Sequence, residues 1–67
     1  MKTIKQMRES LGYSQQELAE VCGMSRSMLS AIELGKKNPG KDNIKALAYG
    51  LEVSITKVIN ALFAESA

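Results

Sequence analysis

Apolar residues recur along this chain at helical spacing. Ile4, Met7 and Leu11 fall at i, i+3 and i+7, which predicts a first helix from about Thr3 to Leu11, closed by Gly12 as a left-handed cap. Ser14-Gln15-Gln16-Glu17 has the spacing of a capping box: the Ser14 hydroxyl accepts from the Glu17 amide while the Glu17 carboxylate reaches back to the Ser14 amide. A second helix therefore starts at Gln15, with Tyr13 and Leu18 at the two positions of a hydrophobic staple, and Gly23 stops it after about two turns. Ser25 caps a third helix that runs to about Leu34, turns Leu29 and Ile32 inward and ends at Gly35. Ile44, Leu47, Ala48 and Leu51 mark a fourth from about Lys41 to Leu51, in which Gly50 is expected to weaken the last turn by about 1 kcal/mol relative to Ala. Ser54 caps a fifth, and its stripe of Ile55, Val58, Ile59, Leu62 and Phe63 is wide for so short a helix. No segment alternates with period two over more than a few residues, so the expected fold class is all-α, a compact five-helix bundle.

The chain has 67 residues, room for one small core, and is read as a single domain over 1–67. A domain of this size buries only roughly 60% of its unfolded surface, so it depends on consistent local signals, a staple or association. There is no His, and Cys22 is alone, so neither a metal site nor an internal disulfide is expected. This fits a reducing cytoplasm. The apolar runs fall far short of the roughly 20 residues that cross a bilayer, and a membrane is not an expected partner. The formal net charge of +2 says little, but its distribution says more: residues 1–45 carry eight basic side chains against five acidic ones, while the remainder carries −1.

Two short helices joined by a glycine-bearing turn have the geometry of a helix-turn-helix, here over 15–34. Ala19 sits where the two helices must approach closely, Gly23 sits at the turn, and Leu18, Leu29 and Ile32 supply the wedge between them. At these residues the chain resembles the Cro/C1-type family of phage repressors and bacterial regulators. The resemblance covers about residues 3–60 and rests on Arg8 four before Gly12, Ser14-Gln15-x-Glu17-Leu18-Ala19, Gly23-x-Ser25, Leu29-Ser30-x-Ile32-Glu33-x-Gly35, Pro39, Leu47-Ala48 and Leu51-x-Val53. Gly40 departs from the Ser or Thr that usually caps the family's fourth helix, and Lys41 from a frequently apolar position; both are expected to loosen the start of that helix. The resemblance implies a lambda-repressor-like fold, double-stranded DNA as partner, and a structural salt bridge between Arg8 and Glu33.

The third helix presents Arg26, Ser27, Ser30, Ala31 and Leu34 opposite its buried face, and the first four are the candidate base contacts. Arg26 has the planar fork that fits guanine O6 and N7, with a phosphate contact as the alternative. Ser27 and Ser30 can bond a base or a phosphate, and Ala31 can meet only a thymine methyl or serve as helix filler. Gln15, at a helix N-terminus, and Ser25 are candidate phosphate contacts, although Ser25 is first of all a cap. Lys36, Lys37 and Asn38 follow the third helix, where the family's loop runs beside the DNA backbone. Ile59, Leu62 and Phe63 are left over once Ile55 and Val58 are assigned to the core, and they form the candidate interface of a two-fold homodimer on a near-palindromic operator. No paired carboxylates, activated nucleophile or phosphate-cradling glycine loop is present, so no enzyme activity, cofactor or small-molecule ligand is expected. The function expected is a transcriptional regulator, with a repressor the leading form. A restriction-modification controller, an antitoxin, a protein-interaction module on the same fold and a piece of a longer regulator remain alternatives.

Overall fold

Four of the helices begin on a hydroxyl that serves their free amides, Thr3, Ser14, Ser25 and Ser54. In the computed structural model, which describes residues 2–66, the described residues form α1 (Ile4–Ser10), α2 (Gln15–Cys22), α3 (Arg26–Glu33), α4 (Lys41–Leu51) and α5 (Ile55–Ser66). Thr3 and Ser14 each complete a capping box, with Gln6 and Glu17 reaching back to the Thr3 and Ser14 amides at 2.9 Å. The box at Ser14 holds the Glu17 carboxyl below its usual range, first through the Ser14 backbone amide and then through its hydroxyl. Ser25 Oγ accepts from the Met28 amide at 3.1 Å. Gly40 gives α4 no side-chain cap, as its departure from the family pattern implies.

The core is where these helices meet. Ile4, Leu18, Leu29, Ile32, Leu47 and Val58 are completely buried, one or two from each helix. α4 packs against both α2 and α5, α2 against α3, and α1 against α5. Two expectations about this core are corrected. Ile55 is 44% exposed, and Ala61 takes its place inside. A helical side chain covers the turn N-terminal to its own Cα, so a first-turn residue overhangs the preceding loop and not the core. Gly50 is also more than a weak point in a helix. A Cβ there would lie 2.7 Å from Cys22 Sγ and 3.0 Å from Leu18 Cδ1, so the missing side chain is what lets α4 approach α2. Burial at this seam pushes the Cys22 thiol up, and its Sγ lies 3.3 Å from the Ala46 carbonyl it donates to.

One contact ties the two ends of the fold together. Glu65 Oε1 accepts from the Ile4 amide at 2.8 Å, while Oε2 is buried without a hydrogen-bond partner. Burial pushes this carboxyl up to about 7, against the pull of the Ile4 bond and with help from the negative charge of Glu33.

Candidate nucleic-acid interface

The helix-turn-helix is α2, the turn Gly23-Met24-Ser25 and α3. Gly23 adopts φ 69°, a left-handed conformation that a side chain would strain, and lets the Met24 amide bond back to the Ala19 carbonyl at 3.0 Å. Ala19 is fully buried, as a close crossing of two backbones requires. With Leu29 and Ile32 buried on one side of α3, the opposite side opens onto a concavity lined by Gln15, Arg26, Ser27, Ser30, Ala31, Leu34 and Lys36. Six residues that the sequence marks as candidates for base or phosphate contact thus share one surface.

A network of buried charge sets the orientation of that surface. Arg8 Nε and Nη2 donate to the two oxygens of Glu33 at 2.7 and 3.2 Å, and Nη1 donates to the Tyr13 carbonyl at 2.8 Å. The Glu33 side chain is only 3% exposed. Its Oε1 also accepts from Gln15 Nε2 at 3.0 Å. The Arg8–Glu33 pair therefore ties α1, the loop before α2, the first residue of α2 and the last residue of α3 into a single unit. A fork-on-fork pair with a further donor bonded to a backbone carbonyl is the kind of arrangement in which a buried ion pair offsets part of its desolvation. The Glu33 hydrogen bond raises the pKa of Arg8, burial opposes it, and the charges of Glu33 and Glu9 reinforce it. Gln15 is consequently held in place from the protein side, leaving its second N–H and its carbonyl oxygen as the groups available to a ligand.

The remaining candidates lie elsewhere. Ser25 is exposed, and its hydroxyl oxygen already serves as the α3 cap. The Lys36 and Lys37 amides both donate to the Ala31 carbonyl, at 2.9 and 3.3 Å, which folds the loop back onto the end of α3 and leaves Lys37 exposed beside the concavity without lining it. Asn38 is separated from the group. It lines a different, apolar groove with Pro39, Ile44, Ile59, Leu62 and Phe63. Phe63 is 68% exposed there, Ile59 is exposed and Leu62 half-buried, so the three residues singled out on α5 share one surface.

One residue of the surface was missed in the sequence. Lys5 lines a second depression with Arg8, Ser14, Gln15, Gln16 and Arg26, which continues the basic surface from α3 onto α1. Its position three before Arg8 on the same helix was the available signal. Leu34 is 65% exposed at the end of α3, on the outer face where the sequence places it, although the sequence alone assigns it no contact there.

A recognition helix braced by a crossing helix, with a basic and amide-rich outer face, defines a helix-turn-helix domain of the DNA-binding class. The chain belongs to the helix-turn-helix family of the Cro/C1 type, and the family match spans residues 4–58. It is 40% identical over 58 residues to the HTH-type transcriptional regulator SinR of Bacillus licheniformis, covering 85% of this chain and 52% of that protein. It is 38% identical over 58 residues to SinR of Bacillus subtilis strain 168, with the same coverage of 85% and 52%. To the HTH-type transcriptional regulator SutR of Escherichia coli strain K12 it is 36% identical over 58 residues, covering 87% of this chain and 33% of SutR. The chain thus spans about a third to a half of the length of these relatives.

Proposed function

We propose that this chain is a sequence-specific reader of double-stranded DNA in the cytoplasm, acting as a two-fold dimer on a near-palindromic operator, and that it represses transcription by occupying that operator. The observation that carries the reading is the concavity on α3, where Arg26, Ser27, Ser30 and Ala31 stand beside Gln15 and Lys36. Membership of a family whose matched relatives are transcriptional regulators supports it. In this reading α3 enters the major groove, Arg26 and the small side chains that follow it read base edges, and Gln15, Ser25, Lys36 and Lys37 hold the phosphates on either side, while Asn38, on the apolar groove, is left out of the contact set. Arg8 and Glu33 touch no base. They fix the angle at which α3 is offered, through the bonds each makes to neighbouring helices.

One recognition helix reads only a few base pairs, so useful specificity asks for two on one face of the duplex. The apolar groove of Ile44, Ile59, Leu62 and Phe63 is the surface we assign to a second copy of the chain. Burying a side chain of this size contributes about 1.5 to 3 kcal/mol, so an isologous patch of three per subunit is a sufficient driving force. Selection of bound sequences from random duplexes tests the reading. A near-palindromic motif with two half-sites one helical turn apart is expected, and recovery of no preferred sequence would remove the proposal. Sedimentation of the wild type beside Ile59→Asp and Phe63→Asp tests the dimer, which fails if the wild type is a monomer at tens of micromolar or if the aspartate variants stay dimeric.

A further inference from the structure

α3 ends on a residue that its surroundings do not account for. Leu34 is the C-cap of α3: its amide bonds back to the Ser30 carbonyl at 3.0 Å, and Gly35 then turns the chain away in the left-handed conformation, φ 74°. The side chain remains outside, 65% exposed. Single exposed leucines are ordinary on protein surfaces. The neighbours of this one are not ordinary for a leucine. Among the described residues it is the large exposed hydrophobic side chain in a concavity otherwise built from Gln15, Arg26, Lys36, two serines and Ala31. Of the other exposed large apolar side chains, Leu11, Val21, Tyr49, Ile55, Ile59 and Phe63, none lines this concavity, and Ile59 and Phe63 face an apolar groove with Pro39 and Ile44.

Ser27, Ser30, Ala31 and Leu34 fall at i, i+3, i+4 and i+7, so they form one stripe along α3 whose character changes from polar to apolar toward its end. A major groove offers phosphate oxygens, polar base edges and one apolar group, the C5-methyl of thymine. The cations and amides of the concavity match the first two. The apolar end of the stripe matches only the third. Resting on the DNA-binding reading above, we propose that Leu34, together with the methyl of Ala31, is a specificity-determining contact for thymine methyl groups at one edge of each half-site.

Replacing thymine by uracil removes that methyl and leaves every hydrogen-bonding group in place, so the test is fluorescence anisotropy on the selected operator duplex carrying single thymine-to-uracil changes. The wild type is expected to lose about fourfold in affinity at one thymine per half-site, the worth of one buried methyl-sized group. Leu34→Ala is expected to bind the thymine duplex more weakly by a similar factor and to lose most of its sensitivity to uracil there, with an unchanged melting temperature because Leu34 is outside the core. Wild-type binding that is equal on thymine and uracil at every position overturns the assignment, as does uracil sensitivity that survives intact in Leu34→Ala. Failure to bind any duplex is a different result: it removes the DNA-binding reading itself and this contact with it.

Discussion

Gly50→Ala separates two opposed effects at one atom. Helix propensity alone favours the alanine, by about 1 kcal/mol in an interior position. Against this stands the seam between α4 and α2, where the new methyl would lie 2.7 Å from Cys22 Sγ, 3.0 Å from Leu18 Cδ1 and 3.4 Å from Val21 Cγ1. Leu18 is fully buried and has nowhere to withdraw. Cys22 can rotate only by giving up its contact with the Ala46 carbonyl at 3.3 Å. Overpacking of this kind costs about 1 to 3 kcal/mol, so net of propensity the variant should be less stable by up to about 2 kcal/mol. In a domain of this size that is a fall in melting temperature of up to about 16 °C. Urea and thermal unfolding at fixed protein concentration measure it, with Cys22→Ala and the double variant completing a cycle. Removing Sγ should restore part of the loss, with a coupling of about 1 kcal/mol. A Gly50→Ala protein more stable than the wild type would show that the seam relaxes freely, and additive effects would show that Cys22 is not what the methyl meets.

Arg8→Ala should destabilise by about 3 to 5 kcal/mol, because it leaves the Glu33 carboxylate buried with Gln15 as its remaining side-chain donor; a wild-type melting temperature would refute the bracing role. The Glu65 carboxyl is raised in the folded state, so the stability it contributes is complete below its unfolded pKa and is lost as pH rises through about 7. Between about pH 5 and about pH 8 the wild type should therefore lose about 1 to 2 kcal/mol relative to Glu65→Gln, a figure reduced for solvent screening of a half-buried group. Parallel stability profiles for the two proteins would refute this.

Local signals in the sequence carried most of the fold. The Ser14-Glu17 box placed the start of α2 at Gln15, Gly23 marked the turn, and the apolar spacing from Ile44 to Leu51 gave α4 its observed bounds. Each of these features is decided within a few residues of itself. What escaped depends on partners far along the chain. Gly50 reads as a defect until Cys22 and Leu18 are seen against it, and Ile55 reads as core until α5 is seen to begin beyond the packed layer. Glu65 bonds an amide 61 positions away, and periodicity carries no information about such a contact. The candidate surface divides the same way. The outer face of α3 follows from which residues its inner face buries, whereas the hold of Glu33 on Gln15 and the separation of Asn38 from the other candidates depend on how the loop after α3 folds back.

The central claim is that α3 reads bases while the basic residues beside it hold phosphates, and equilibrium titration of the selected duplex against a scrambled one, for the wild type, Arg26→Ala and Lys37→Ala, tests it most directly. A protein making 6 to 10 phosphate contacts should lose about 10³ to 10⁵ in affinity between about 50 and 200 mM salt. Arg26→Ala should cost about 1 to 3 kcal/mol on the selected duplex and relax preference at one base pair per half-site, whereas Lys37→Ala should weaken both duplexes alike and lower the salt slope by about one. Affinity independent of salt, or an Arg26→Ala protein that discriminates between the duplexes as well as the wild type does, would contradict the account.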